Sequence, residues 1–208
     1  MMKHLLPLCA VAVVAACSNP EKTGGWLIDP PTAGVRVPNA LGTAELKDVS
    51  LPEYASGQEV AFQTPDGAVR SNPDNIWADS PGRAFTNALA GAISDMSGAT
   101  VIAEPWPLAE PPRRVIQVRV DRALTQADGH YRLSGRYFVA DDRAQGTNHV
   151  RRFDIRVPVA EPGAGGTAGA ASQALSQLAQ QIATLSGPGT TIATSAPADP
   201  FANLPPLF

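Results

Sequence analysis

The chain has 208 residues and a formal net charge of −3 at pH 7, with 44% hydrophobic and 17% charged residues. This length is enough for one domain with its own core, or for one domain with flexible ends. No internal repeat is visible, which argues against a solenoid or a propeller. We also expect no nucleic-acid partner.

The first 16 residues have the layout of a secretory signal peptide. Lys3 precedes an apolar run from Leu5 to Ala16, which only Pro7 interrupts. The run is shorter than the roughly 20 residues that a membrane-spanning helix needs. Residues 1–16 are therefore interpreted as a targeting segment and not as an anchor.

The signal peptide ends in Val14-Ala15-Ala16-Cys17, which resembles the bacterial lipobox. In such a sequence the cysteine thiol accepts a diacylglyceryl group and the cysteine becomes the first residue of the mature chain. Acylation of both the sulfur and the new amino group supplies more than one acyl chain, as stable anchoring requires. The alternative is an ordinary signal peptide cut after Ala16, with an incidental cysteine. Cys9 is removed in either case, so the mature chain cannot form an internal disulfide.

Both ends of the mature chain have the composition of flexible segments. Residues 17–25 form a polar, lipidated tether, and residues 187–208 are rich in Gly, Pro, Ala, Ser and Thr with almost no charge. Such a composition buries too little apolar surface to fold, so we expect residues 187–208 to be a disordered tail. The folded domain is expected over residues 26–186.

The first clear structural pattern is a pair of predicted helices. Ser80-Pro81 provides an N-cap followed by proline at the first helical position, and Gly98 closes this helix. A second helix is predicted from about Gly169 to Leu185, because its apolar residues recur every three or four positions. The preceding glycine-rich segment, 163–166, is interpreted as a flexible hinge.

Between the helices, apolar and polar residues alternate with period two in three stretches, which predicts strands. Asp128-Gly129 and Asp141-Asp142 separate the stretches and are typical of turns. The pattern predicts an antiparallel three-strand meander with one buried face. The expected fold class is α+β, with an antiparallel or mixed sheet and two helices packed on one face. The buried positions are expected to be Ile116, Val118, Val120, Tyr131, Leu133, Tyr137, Phe153, Ile155 and Val157.

Charge is distributed unevenly along the chain. Residues 17–112 have 5 basic and 12 acidic side chains, whereas residues 113–156 have 10 arginines and 5 aspartates. A solvated sheet face with cross-strand Arg–Asp pairs explains the arginines without a ligand. The alternative is a docking surface for an anionic partner or for lipid headgroups.

The polar face of the second helix has no charged residue. It consists of serine and glutamine side chains, which can be buried with little desolvation cost, so we expect a surface for self-association or partner docking. The alternative is that the face reflects composition only and stays in water. The residues concerned are Ser172, Gln173, Ser176, Gln177, Gln180 and Gln181.

The sequence contains little that would support an enzyme. The mature chain has two histidines, His130 and His149, and neither belongs to a His-x-x-x-His pair. There is no Gly-x-Ser-x-Gly elbow and no phosphate-binding glycine loop with its lysine. We therefore expect no catalytic residue, no metal site and no cofactor. Asp141-Asp142 is interpreted as a solvated turn.

Several short motifs together resemble the PqiC (YmbA) family of ABC-type transport auxiliary lipoproteins. They are Val49-Ser50-Leu51-Pro52-Glu53-Tyr54, a short strand within residues 60–69, and Asn75-Ile76-Trp77-Ala78-Asp79-Ser80-Pro81 opening a helix. Gly25-Trp26-Leu27 also lies where that family has an aromatic first strand. Tyr54 and Trp77 are interpreted as core residues.

The resemblance implies a non-enzymatic auxiliary subunit of an MCE-type phospholipid transport system. Its expected partners are an MCE-family periplasmic protein, the phospholipid membrane through the lipid anchor, and a second copy in a homo-oligomer. Ser18 after the lipidated cysteine does not resemble the aspartate that retains lipoproteins in the inner membrane, so we expect the periplasmic face of the outer membrane. The alternative is a structural or assembly lipoprotein that scaffolds an outer-membrane complex without contacting lipid cargo.

Replacing the cysteine tests the lipidation. We expect Cys17→Ser to release the protein from membranes or to leave it unprocessed, because the acylated thiol is lost. Membrane fractionation and incorporation of labelled palmitate are the measurements. A wild-type protein that takes up no palmitate, together with unchanged fractionation of the variant, would contradict the assignment.

Overall fold

A computed structural model describes residues 23–30, 35–141, 147–185 and 189–193 of the chain. In these residues the chain forms ten strands and three helices. In chain order the elements are β1 (Gly24–Trp26), β2 (Thr43–Leu46), α1 (Glu53–Ser56), β3 (Phe62–Gln63), β4 (Val69–Arg70), β5 (Asn75–Trp77), α2 (Pro81–Ser97), β6 (Thr100–Ala103), β7 (Arg114–Thr125), β8 (His130–Asp141), β9 (Thr147–Pro158), α3 (Ala164–Ala183) and β10 (Gly189–Ala193).

The main sheet is curled and mixed. Its strand order is β10-β9-β8-β7-β2-β6, and the short β3–β4 hairpin joins it at β7. Strands β7 to β10 are antiparallel, which confirms the predicted meander, whereas β2 runs parallel to both β6 and β7. Strands β1 and β5 form a separate parallel pair.

The core lies between the sheet and the two long helices. Side chains on alternate positions of β7, β8 and β9 point to this side, and Ile116, Leu133 and Tyr137 are fully buried there. Helices α2 and α3 pack against each other and contribute Leu89 and Ile93, and Leu175, Leu178 and Ile182, respectively. The predicted α+β class, with two helices on one face of a mixed sheet, is therefore confirmed.

The motifs before α2 lie where their sequence suggests. Leu51-Pro52 leads from a bridge at Ser50 into the short helix α1. The Tyr54 hydroxyl accepts a hydrogen bond from the backbone N–H of Ala123, at 3.1 Å, on β7. Trp77 is only 6% exposed, so its expected core position is confirmed.

A β-bulge bends β7 between Val120 and Arg122. Gly135 on β8 lies opposite, so close that an added Cβ would be 2.1 Å from the carbonyl oxygen of Arg119. Any larger residue would therefore collide with backbone at this position. The alternating pattern of apolar and polar residues did not predict this bulge.

Helix α2 has nearly the predicted bounds. Ser80 is the N-cap residue, although its hydroxyl makes no capping hydrogen bond. Gly98 ends the helix in the left-handed conformation, with φ of 66°, and its N–H donates to the carbonyl oxygen of Ser94. This is the terminal geometry that glycine adopts without strain.

Helix α3 begins earlier than predicted, because Ala164, Gly165 and Gly166 form its first turn. The interpretation of residues 163–166 as a flexible hinge was therefore wrong. The glycines allow close packing: an added Cβ on Gly165 would lie 2.7 Å from the ring of Trp26, and one on Gly166 would lie 1.8 Å from the carbonyl oxygen of Glu161.

The segment after α3 also differs from the disordered tail that its composition predicted. Residues 189–193, within the expected disordered tail, form β10 at the edge of the sheet, antiparallel to β9. Thr190, Thr191 and Ile192 are β-branched and favour a strand in an otherwise Gly- and Ala-rich segment. The rest of the expected tail, residues 187–188 and 194–208, lies outside the described residues, as do Cys17 and the turn residue Asp142.

Two glycines of α3, Gly166 and Gly169, provide a matched test of the close packing at the start of this helix. We expect Gly166→Ala to lower the free energy of unfolding by about 1–3 kcal/mol, because its Cβ would overlap backbone. Gly169→Ala should instead raise it by up to about 1 kcal/mol, since Gly169 is exposed with open space around its Cβ position and alanine favours a helix. Urea denaturation of both variants measures the effects, and equal stability of the two would contradict the described packing.

Candidate interaction surfaces

The outward face of α3 is exposed and uncharged. Gln173, Gln177 and Gln180 are exposed along one stripe of the helix, and Ser176 and Gln181 are half-buried beside them. Side-chain amides can donate and accept hydrogen bonds and lose less free energy on desolvation than charged groups. We call these five residues the glutamine face, and it can be covered by another protein surface at modest cost.

Ser172 does not belong to that exposed face. Its side chain is buried, donates to the carbonyl oxygen of Ala168 at 2.8 Å and accepts the backbone N–H of Asp29 at 3.0 Å. The segment after β1 therefore covers this position of α3. Of the six residues predicted for the docking surface, five remain accessible.

The outer face of the sheet, opposite the helices, contains cross-strand ion pairs. Arg132 on β8 binds Asp154 on β9 through two hydrogen bonds, at 2.8 and 2.7 Å. These hydrogen bonds, together with the charges of Arg132, Arg156 and Arg122, hold the pKa of Asp154 below its usual value, although partial burial acts in the opposite direction. Arg156 also pairs with Asp128 at the β7–β8 turn. This half of the face agrees with the solvated interpretation.

The next row of residues across the same face contains arginines without acidic partners beside them among the described residues. Arg119, Arg136 and Arg152 lie directly opposite one another on β7, β8 and β9. Like charges in such positions repel, and no ion pair joins the three to an acidic group in the part of the chain that the structure describes. The guanidinium of Arg119 lies 5.4 Å from the ring centroid of Phe138, a cation–π contact. We call these three residues the arginine row.

A buried polar cluster occupies the inner side of β7, β8 and β9, near the end of α3. Arg114 and Arg151 are each 8% exposed, and Arg114 pairs with Asp141 at 3.3 Å. A ring nitrogen of His149 lies 3.3 Å from the guanidinium of Arg151. Burial, and then the charges of Arg151 and Arg114, lower the pKa of His149, which favours the neutral imidazole.

An apolar pocket of about 500 Å³ opens at the other end of the sheet, between the β7–β8 turn and the start of α3. We call it the turn pocket. It is within the size range of small-molecule sites. Among its lining residues are Val60, Phe62, Ala127, Val159, Pro162 and Ala164.

The residues considered for catalysis do not come together. His130 lies in the β7–β8 turn region beside Asp128, with 3.4 Å between a ring nitrogen and a carboxylate oxygen, whereas His149 lies in the buried polar cluster. Within the described residues, no group of three His, Cys, Asp or Glu side chains is placed to hold a metal ion. No helix in that part of the chain is both long and apolar enough to cross a membrane.

The fold is that of a small α+β domain with a curled mixed sheet and two covering helices. Two solved structures share this fold. An uncharacterized protein is 20% identical, with a TM-score of 0.60, 72% coverage of this chain and 97% of its own. A Xanthomonas campestris protein of family DUF330 is 12% identical, with a TM-score of 0.55, 76% coverage of this chain and 93% of its own. No curated protein matches the chain.

The family itself follows from the sequence comparison. The model of the ABC-type transport auxiliary lipoprotein component matches residues 26–183. The chain therefore belongs to this family, which confirms the resemblance found in its motifs. The match begins at Trp26 of β1 and ends at Ala183, the last residue of α3, so it spans both long helices and the strands between them.

Removing the guanidinium from the Arg132–Asp154 pair tests the electrostatics of the sheet face. We expect Arg132→Gln to raise the pKa of Asp154 towards its usual value, whereas Arg136→Gln, in the arginine row, should leave it unchanged. A carboxyl-detected NMR titration measures both. An unchanged pKa in Arg132→Gln would contradict the pairing.

The same variant should show a small effect of pH on stability. A lowered pKa in the folded state stabilises the fold above the unfolded pKa of about 3.9, and this contribution is lost as the pH falls through the folded pKa. Both side chains are partly exposed, so we expect the free energies of unfolding of the wild type and of Arg132→Gln to differ by less than about 1 kcal/mol at neutral pH. This difference should become smaller below about pH 4, and urea denaturation at several pH values measures it.

Proposed function

We propose that the protein is a non-enzymatic auxiliary subunit of an MCE/ABC-type intermembrane phospholipid transport system, anchored in the outer membrane and facing the periplasm. The observation that supports this most is the family match over residues 26–183, since the family is an auxiliary lipoprotein component of ABC-type transport. The lipobox at Cys17 supports the lipid anchor. Ser18, which stands where an aspartate would retain the protein in the inner membrane, supports the outer membrane as its location.

An auxiliary subunit acts by contact, so it needs a surface that another protein can cover. The glutamine face suits this role because it is exposed, regular and free of charge. No charged residue occurs between Pro162 and Ala198, which is unusual for a helix that stays in water. We propose that the glutamine face docks onto an MCE partner or onto a second copy of this chain.

The second candidate function is a scaffold that never contacts lipid. The turn pocket favours a role in contact with lipid over this one, because an apolar pocket provides a place for hydrocarbon that such a scaffold does not need. A closed polar surface would have favoured the scaffold.

The docking proposal is tested by placing charges on the glutamine face. We expect the triple substitution of Gln173, Gln177 and Gln180 by arginine to weaken assembly about tenfold or more, because buried unpaired charges lose their hydration. Analytical ultracentrifugation of the solubilised lipoprotein, with and without the MCE protein of the same system, measures the assembly.

The matched control carries three arginines elsewhere on the surface. Gln58, Asn87 and Ala109 are exposed and lie outside α3. Their triple substitution by arginine should assemble as the wild type does. The docking proposal fails if the wild type is a monomer that binds nothing, or if both triple variants assemble equally well.

A further inference from the structure

The turn pocket has a lining that suits one class of ligand. None of its lining residues is charged, and the side chains at its walls include Val60, Phe62, Pro65, Val159 and Pro162. The hydroxyls of Thr125 and Thr167 are hydrogen-bonded to each other at 2.8 Å, so this polar pair at the wall is already satisfied. Four amide side chains, those of Gln63, Asn72, Asn75 and Gln126, also line the pocket, and the side-chain oxygen of Gln126 is buried without a hydrogen-bond partner in the part of the chain that the structure describes. The absence of charge and the apolar walls suit hydrocarbon, and the amides suit the polar end of a lipid.

We propose that the turn pocket holds one hydrocarbon chain of a lipid. The ligand is an acyl chain, and it has two sources: the acylated N-terminus of the protein itself, or a phospholipid of the membrane. The proposal does not depend on transport, since a lipoprotein domain at a membrane surface can hold an acyl chain without moving it between membranes.

The position of the N-terminal strand brings an acyl chain within reach. The backbone N–H of Gly24 in β1 donates to the carbonyl oxygen of Asp74 at 2.8 Å, and Asn72 and Asn75 on either side of Asp74 line the pocket. Cys17 is six residues before Thr23. Six residues span at most about 20 Å, so this length of chain sets the reach of an acyl group on Cys17 from Thr23.

Exposed apolar side chains lie around the same end of the molecule. Phe62 is 37% exposed and lines the pocket, and Val69 is 46% exposed on the strand paired with it. Trp26 is 37% exposed, with its ring against Gly165, the residue after Ala164 of the pocket wall. Leu27, adjacent to Trp26, is 69% exposed. Apolar surface of this kind, beside a lipid-bearing tether, suits the boundary between headgroups and acyl chains of a bilayer.

The experiment is photo-crosslinking of the full-length protein in bacteria grown on a diazirine-bearing fatty acid. After illumination, mass spectrometry locates the lipid adducts. We expect adducts on the peptides that contain Phe62 or Ala127. A link between such a peptide and Cys17 identifies the protein's own anchor, whereas an adduct with the mass of a phospholipid identifies the membrane as the source. Either result supports an acyl chain in the pocket.

Two variants and one control test whether the adducts depend on the pocket. Phe62→Asp and Ala127→Asp place a carboxylate at the pocket lining and should reduce the adducts about tenfold or more, because the carboxylate loses water when hydrocarbon enters. Leu108→Asp is the control, since Leu108 is 52% exposed but neither lines the pocket nor belongs to the exposed apolar surface beside it. Its adducts should equal those of the wild type.

Ala127 lies in an exposed turn, where aspartate is a common residue, so this variant tests the pocket even if Phe62→Asp folds poorly. The proposal is overturned if the pocket peptides carry no adduct in the wild type. It is also overturned if Ala127→Asp, with an unchanged thermal unfolding curve, keeps its adducts, or if Leu108→Asp loses its adducts to the same extent as the pocket variants. None of these outcomes depends on binding to an MCE protein, so the docking proposal stands or fails separately.

Discussion

The pairing of β7, β8 and β9 is the constraint on which the rest of the structure depends. Each strand has 12 residues, and the antiparallel register runs along nearly the whole length of β8. Because side chains alternate between the two faces, one choice of register places the apolar residues under the helices and most of the arginines outside. The core, the arginine row and the turn pocket at the β7–β8 turn all follow from that register.

The sequence predicted the elements whose signals are local. Period-two alternation predicted the meander, and Ser80-Pro81 with Gly98 predicted the bounds of α2, because each signal lies within or next to its element. The sequence could not place β2 between β6 and β7, since a four-residue strand with parallel neighbours has no pattern of its own. The sequence therefore predicted the fold class, but it did not predict the order of the strands in the sheet.

The errors came from residues whose role depends on distant neighbours. Gly165 and Gly166 resemble a hinge in sequence, but the helix needs them because Trp26 and the backbone of Glu161 lie against it. The candidate surfaces show the same limit. The glutamine face was predictable from its spacing, whereas the arginine row needs the register of three strands and the turn pocket needs parts of the chain more than 60 residues apart.

These features give the domain distinct faces: glutamines on α3, arginines on the outer sheet, and an apolar end beside the tether. The central claim is that the glutamine face contacts another protein of the transport system. It is tested most directly by placing a photo-crosslinking amino acid at Gln177 in the full-length protein in cells, with the same amino acid at the exposed Gln58 as control. We predict an adduct with an MCE-family protein or a second copy of this chain from position 177 only. No adduct at 177, or equal adducts at both positions, would contradict the claim.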